Sequence, residues 1–235
     1  GRKDHAHPMK AIVICTTHGK CLPVMLASIS EYVPRDVTVY LAGSDLKLPN
    51  HQTINLPNDA RNFGEAYNAA AAIAFERFDE IVIANDDIVL TPTTWRTLAC
   101  DVSFIKEKFG DHGIVACRSD YARGTQNIRC GIGKINFLRY ESEAQIIVTD
   151  IIAPIFAQVT RSAWVDFPPI NWFSDDVQCL DMKRNHYISR AYVHHVGSQT
   201  CGDDVKKCLD DAEPWIKANR PELHAKWFLT NGAVI

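Results

Sequence analysis

The sequence lacks any apolar run long enough to cross a bilayer as a helix. It also lacks C-x-x-C spacing among its eight cysteines, Cys15, Cys21, Cys100, Cys117, Cys130, Cys179, Cys201 and Cys208, so no structural zinc site is expected. Several of these cysteines fall inside apolar patterns and read as reduced, small core residues of a cytosolic protein. Charge of one sign is not in excess. A formal net charge of −3 gives no field for a polyanion, and no nucleic-acid partner is expected. Internal repeats, low-complexity tracts and an interdomain linker are absent, as is a signal-peptide pattern. The opening "GRKDHAHP" (1–8) reads as an expression scar before Met9, and His5 and His7 are set aside with it.

What the chain has is a core and an alternation. Its 235 residues, 46% hydrophobic, suit one α/β domain or two small ones. Strand-like segments stand at "KAIVICT" (10–16), "DVTVYLAG" (36–43), "QTINL" (52–56), "EIVIA" (80–84) and "GIVAC" (113–117). Helical ones lie between them at 23–32, 62–78 and 92–110, with Pro23 suited to a first turn. This order predicts a mainly parallel sheet flanked by helices. Residues 118–145 show no period and are expected to form a long loop or a small antiparallel excursion. Strand character returns at 144–159. A short helix is expected at 160–167, stopped by Pro168 and Pro169. Another is expected at 174–185 with Ser174 as N-cap, then a strand at 187–197. A helical tail at 203–228 is expected to break at Pro214 and Pro221.

Polar clusters fall where parallel strands end, which is where open α/β sheets bind ligands. They are Thr16-Thr17-His18-Gly19, Gly43-Ser44-Asp45 and Asn85-Asp86-Asp87. Two adjacent carboxylates after a buried-type strand need water or a cation to offset their repulsion. A sparse Asp pair fits Mg²⁺ or Mn²⁺ completed by water and substrate phosphate. In "WFSDDVQCLDM" (172–182), Asp175 and Asp176 open a helix. They serve either as favourable charges at its N-terminus or, beside Trp172 and Phe173, as a general base with a raised pKa. In "YVHHVGSQT" (192–200), strand alternation lets only one of His194 and His195 enter a shared site.

Five segments in this order resemble the GT-A-fold glycosyltransferases, the inverting family-2-like group. "AIVICTTH" (11–18) resembles the opening strand and "RNFGEAYNAA" (61–70) the N-x-G-x-x-x-x-N segment. "IVIANDDIVL" (81–90) is similar to the D-x-D region, with Asn85 in place of the first Asp. "WFSDDVQCLDM" resembles the aromatic–x–Glu-Asp helix start, and "HVGS" (195–198) the late H-x-G-S element. The resemblance implies a GT-A, Rossmann-like domain over 9–235. Residues 9–117 would form the nucleotide-sugar half, 118–200 the acceptor and catalytic half, and 201–235 the tail. It implies a metal held by Asp87 and His195, and a donor pocket of Thr16, Thr17, Asn62, Gly64, Asn85 and Asp86. Asp176 would be the catalytic base, with Asp175 in the family's Glu position. Asn85 removes one charge from the metal site, and Asp175 is one methylene shorter than Glu.

The implied chemistry is metal-assisted, inverting transfer of a sugar from a nucleoside-diphosphate donor to a carbohydrate or other hydroxyl acceptor. The small size, with no membrane span, would suit a cytoplasmic enzyme of bacterial or phage origin. Arg118, Arg123 and Arg129 either assist the phosphates or are merely solvated. A sugar nucleotidyltransferase would carry a Gly-rich basic loop after its first strand, where "TTHGKCLP" (16–23) has one glycine and one lysine. A non-catalytic carbohydrate-binding or virion-associated module on the same fold would have lost Asp87, Asp176 or His195. A metallohydrolase would show more Asp and His ligand motifs.

Overall fold

The computed structural model describes residues 9–17, 19–132, 135–138, 145–197 and 205–229. Residues 1–8, His18, Lys134, Arg139, Ser198, Cys201 and the side chains of Cys130 and Cys208 lie outside the described residues. In chain order the elements are β1 (Ala11–Cys15), α1 (Leu22–Tyr32), β2 (Thr38–Ala42), β3 (Thr53–Leu56), α2 (Phe63–Phe75), β4 (Glu80–Ala84), β5 (Ile88–Leu90) and α3 (Thr94–Phe109). They continue with β6 (Val115–Ser119), β7 (Arg129–Ile132), β8 (Ile135–Leu138), β9 (Ile147–Thr149), β10 (Phe156–Thr160), α4 (Ser174–Met182), β11 (His186–His195), α5 (Val205–Asn219) and α6 (Pro221–His224).

Alternation along the strands builds two cores. Ile12 and Ile14 of β1 face one side with Met25 and Ile29 of α1 and Leu98, Val102 and Ile105 of α3. Ala11, Val13 and Cys15 face the other, under the alanines Ala66, Ala70, Ala71 and Ala74 of α2. The small alanine face brings α2 close to the sheet. Asn62 starts that helix by accepting the Glu65 amide at 2.9 Å.

The nine-stranded sheet runs β3-β2-β1-β4-β10-β6-β11-β5, with β9 also on β11, and β7-β8 form a separate antiparallel ribbon. β1, β2, β3 and β4 are parallel, as are β6 and β11, while β10 runs antiparallel between β4 and β6. β5 and β9 also oppose their partner β11. The carboxyl ends of the six co-directional strands therefore share one rim.

Three local expectations are corrected. Residues 160–167 form a turn instead of a helix: Ala163 and Trp164 donate to the Thr160 carbonyl, and the chain then runs extended into Pro168. One helical turn before two prolines gains too few hydrogen bonds to persist. Phe173, not Ser174, caps α4, because the Ser174 hydroxyl donates to the Pro168 carbonyl at 3.0 Å. Helix α5 passes through Pro214, which lies at an exposed position, and the chain breaks only at Arg220. The apolar run at 88–90 is a strand of its own, β5.

Candidate active site

β4 ends at Ala84, and its last ladder bond is Asn85 N–H to the Ile155 carbonyl at 2.9 Å. The chain turns through Asp86 and Asp87 and returns as β5 along the end of β11. Register pairs Ile88 with His195, which sets Asp87 beside the imidazole. His195 Nε2 lies 3.0 Å from Asp87 Oδ1 and 3.4 Å from Asn85 Nδ2. Its Nδ1 lies 2.7 Å from the Tyr121 carbonyl, an acceptor only, so Nδ1 carries a proton. Asp120 Oδ1 accepts the His195 amide at 2.9 Å, and Asp120 Oδ2 faces His194 Nδ1 at 2.6 Å. Thus His195 turns to Asp87 and His194 to Asp120. Burial pulls the His195 imidazole down, but the hydrogen bond and charge of Asp87 outweigh it and hold the ring above its ordinary value. Asp86 has a different partner. Its Oδ2 accepts the Thr16 hydroxyl at 2.5 Å, tying the ends of β1 and β4 together.

The end of β11 is fixed from behind. A register shift between Ile188 and Tyr192 frees the Ser189 hydroxyl and the Arg190 amide, and both donate to buried Asp101 of α3 at 2.7 Å. The Arg190 guanidinium also pairs with Asp101.

A second cluster stands at the start of α4. Arg123 Nη1 donates to Asp176 Oδ2 at 2.7 Å, and Nη2 to Asp175 Oδ2 at 3.1 Å. Asp176 is 2% exposed. Burial, then the Asp175 charge, push its carboxyl up to about 7 against the lowering pull of Arg123. The two carboxylates hold the Arg123 guanidinium above its ordinary value, although burial acts the other way. The turn before them is strained. Phe173 has φ 63° and ψ 6°, a left-handed conformation that costs a bulky residue on the order of 1–3 kcal/mol.

The segment 120–123 joins the clusters. Asp120 and Tyr121 orient His195, and two residues on Arg123 grips Asp175 and Asp176. Asp120 and the Arg123 pairing are functional candidates that sequence reasoning missed. The signal for Asp120 was there, since it follows the carboxyl end of β6 as Asn85 follows β4. The other two singled-out arginines are also engaged: Arg118 Nε donates to the Ser189 carbonyl at 3.2 Å, and Arg129 lies 3.7 Å from Asp120.

The remaining candidates take these places. Thr17 is exposed at the rim, next to buried Thr16. Gly43, at φ 86°, turns where a Cβ would stand 2.2 Å from the Thr16 carbonyl. Ser44 gives its carbonyl to Asn55 at 2.6 Å, and Asp45 is exposed. Asn62 is spent on capping α2, while Phe63 and Gly64 meet the segment leading into α4. Phe63 N–H donates to Asn171 Oδ1 at 2.8 Å, and a Cβ on Gly64 would stand 2.0 Å from the Pro168 carbonyl.

The donors suit a divalent cation. Asp87 supplies an anionic oxygen, His195 an imidazole whose other nitrogen is already anchored to a carbonyl, and Asn85 an amide beside them. No group of three or more His, Cys, Asp or Glu placed to hold a metal ion together occurs among the described residues, so water and phosphate would complete such a shell.

No protein-family model and no curated protein matches the sequence. Solved structures do. S. aureus TarS 1–349 is 12% identical with a TM-score of 0.54, over 94% of this chain and 75% of that one. Its complex with UDP-GlcNAc is 11% identical at 0.55, over 88% and 66%. GalNAc-T7 with UDP, GalNAc and Mn²⁺ is 11% identical at 0.61, over 93% of this chain and 51% of that one. The described chain therefore has the GT-A-type fold of these glycosyltransferases.

Proposed function

We propose that the protein transfers a sugar from a nucleoside-diphosphate donor, a UDP-sugar in the first instance, to an acceptor hydroxyl with inversion at the anomeric carbon. The observation carrying this reading is the pairing of Asp87 with His195 at one rim of the sheet and of Asp176 with Arg123 beside it, joined through 120–123. TarS and GalNAc-T7, whose structures hold UDP-GlcNAc and UDP with Mn²⁺, share the fold and support the donor class.

Asp87 and His195, with Asn85 adjacent, would hold a divalent cation, Mn²⁺ or Mg²⁺, whose charge offsets that developing on the departing diphosphate. Thr16, Thr17, Asn62, Gly64 and Asp86 would border the donor. Arg123 holds Asp176 Oδ2 and leaves Oδ1 to take the acceptor's proton. As that proton leaves, the acceptor oxygen bonds to the anomeric carbon from the face opposite the diphosphate, and the glycosidic C–O bond breaks with its electron pair going to phosphate. One displacement inverts the centre.

The test is a thermal-shift panel of UDP-, GDP-, dTDP- and CMP-sugars, each with Mn²⁺, Mg²⁺ or EDTA, followed by release of the free nucleotide with candidate acceptors. A metal-dependent shift confined to one nucleotide, with acceptor-dependent nucleotide release, is expected. Donor binding without release under any acceptor would favour the carbohydrate-binding module instead.

A further inference from the structure

Helix α4 is covered by a part of the chain that the proposed chemistry does not use. Ile170, Phe173 and Val177 form an apolar cluster with Ala212 and Ile216 of α5 and Leu223 of α6. Arg220, at the break between α5 and α6, pairs with Asp181 of α4 at 2.6 Å. After α6 the chain makes a π-helical turn, Ala225–Leu229, a rare geometry often found at functional sites. It brings two consecutive aromatics onto one residue. The Trp227 ring lies parallel to Phe173, with centroids 4.7 Å apart at 15°, and Phe228 meets it edge-on at 5.8 Å.

Phe173 is the left-handed residue at the N-cap of α4, with no side-chain hydrogen bond of its own to close the helix. Its carbonyl accepts the Val177 amide at 3.1 Å, the first turn of the helix that carries Asp175 and Asp176. The direction of that turn follows from φ and ψ at 173, a conformation a phenylalanine keeps only when its surroundings over-determine it.

We propose that Trp227 is a positioning residue of the site. Stacked on Phe173, it holds the left-handed turn that aims Asp175 and Asp176 at Arg123 and the acceptor. The inference rests on the reading of Asp176 as the base, and its test separates the two.

The variants are Trp227→Ala, Trp227→Phe as the conservative rescue, and Phe173→Gly, which adopts a positive φ without strain but removes the stack. Hydrogen exchange at the Val177 amide needs no activity. It is expected to quicken by about tenfold in Trp227→Ala and Phe173→Gly, with β1 and β4 unchanged, and to return towards the parent rate in Trp227→Phe. With transferring parent enzyme, kcat is expected to fall by about tenfold in the first two variants, the donor KM staying within about twofold. Unchanged exchange at Val177 overturns the inference. So does unchanged kcat in both variants well below their melting temperatures. If Trp227→Ala does not fold, Phe173→Gly and Trp227→Phe carry the test. A parent without transfer activity refutes the proposed function, and the exchange measurement still decides on Trp227.

Discussion

Asp176 is balanced between opposed neighbours: burial and Asp175 favour its neutral form, and Arg123 favours the carboxylate. A base must be ionised to accept a proton, so kcat/KM is expected to fall as pH drops below about 7. Arg123→Gln removes the lowering contribution alone and should move that acidic limb to higher pH; a limb that stays in place would separate Arg123 from the base. Asp176→Asn should lower kcat by about 10²- to 10⁴-fold while the donor-induced thermal shift persists. The same group ties stability to pH. Its folded-state pKa lies above the unfolded value, so its contribution is full below the unfolded value and is lost as pH rises through about 7. Asn cannot ionise. The melting temperature of Asp176→Asn relative to the parent should therefore rise between about pH 5 and about pH 8. A difference that shrinks over that range would contradict the assigned shift.

Elements with a complete local signal were legible in the sequence. The alanine-rich run gave α2, and short apolar runs gave β1, β2 and β4. β5 was not legible because three residues carry no period, and only pairing with the end of β11 makes them a strand. The cap of α4 was misread because Ser174 found a tertiary partner at Pro168. That contact also marks a tight junction between α2 and the segment entering α4. Gly64→Ala forces a methyl within 2.0 Å of the Pro168 carbonyl and should cost about 1–3 kcal/mol in urea unfolding. Unchanged stability would mean the junction gives way freely.

Across the whole molecule, sequence reasoning located the strand-end residues, since one rule about parallel sheets covers them all. The resemblance put Asp87 with His195, but the partners Asp120 and Arg123 were not legible. His195 meets Asp120 across 75 positions of chain and Arg123 meets Asp176 across 53, distances no local pattern encodes. The pairing of Asp87 with His195 makes its own prediction. Asp87→Ala should abolish the metal-dependent part of the UDP-sugar thermal shift and leave far-UV circular dichroism intact. A shift that survives, or that EDTA never affects in the parent, would remove the cation from the reading.

The reversed strand has a consequence for how the protein is made. β10 alone connects β4 to β6, and it lies at Phe156–Thr160. During synthesis β1, β2 and β4 can pair as soon as they leave the ribosome, but β6 and β11 cannot join them until residue 160 has emerged. Until then β4 presents an open apolar edge, the kind of surface that chaperones cover and aggregates recruit.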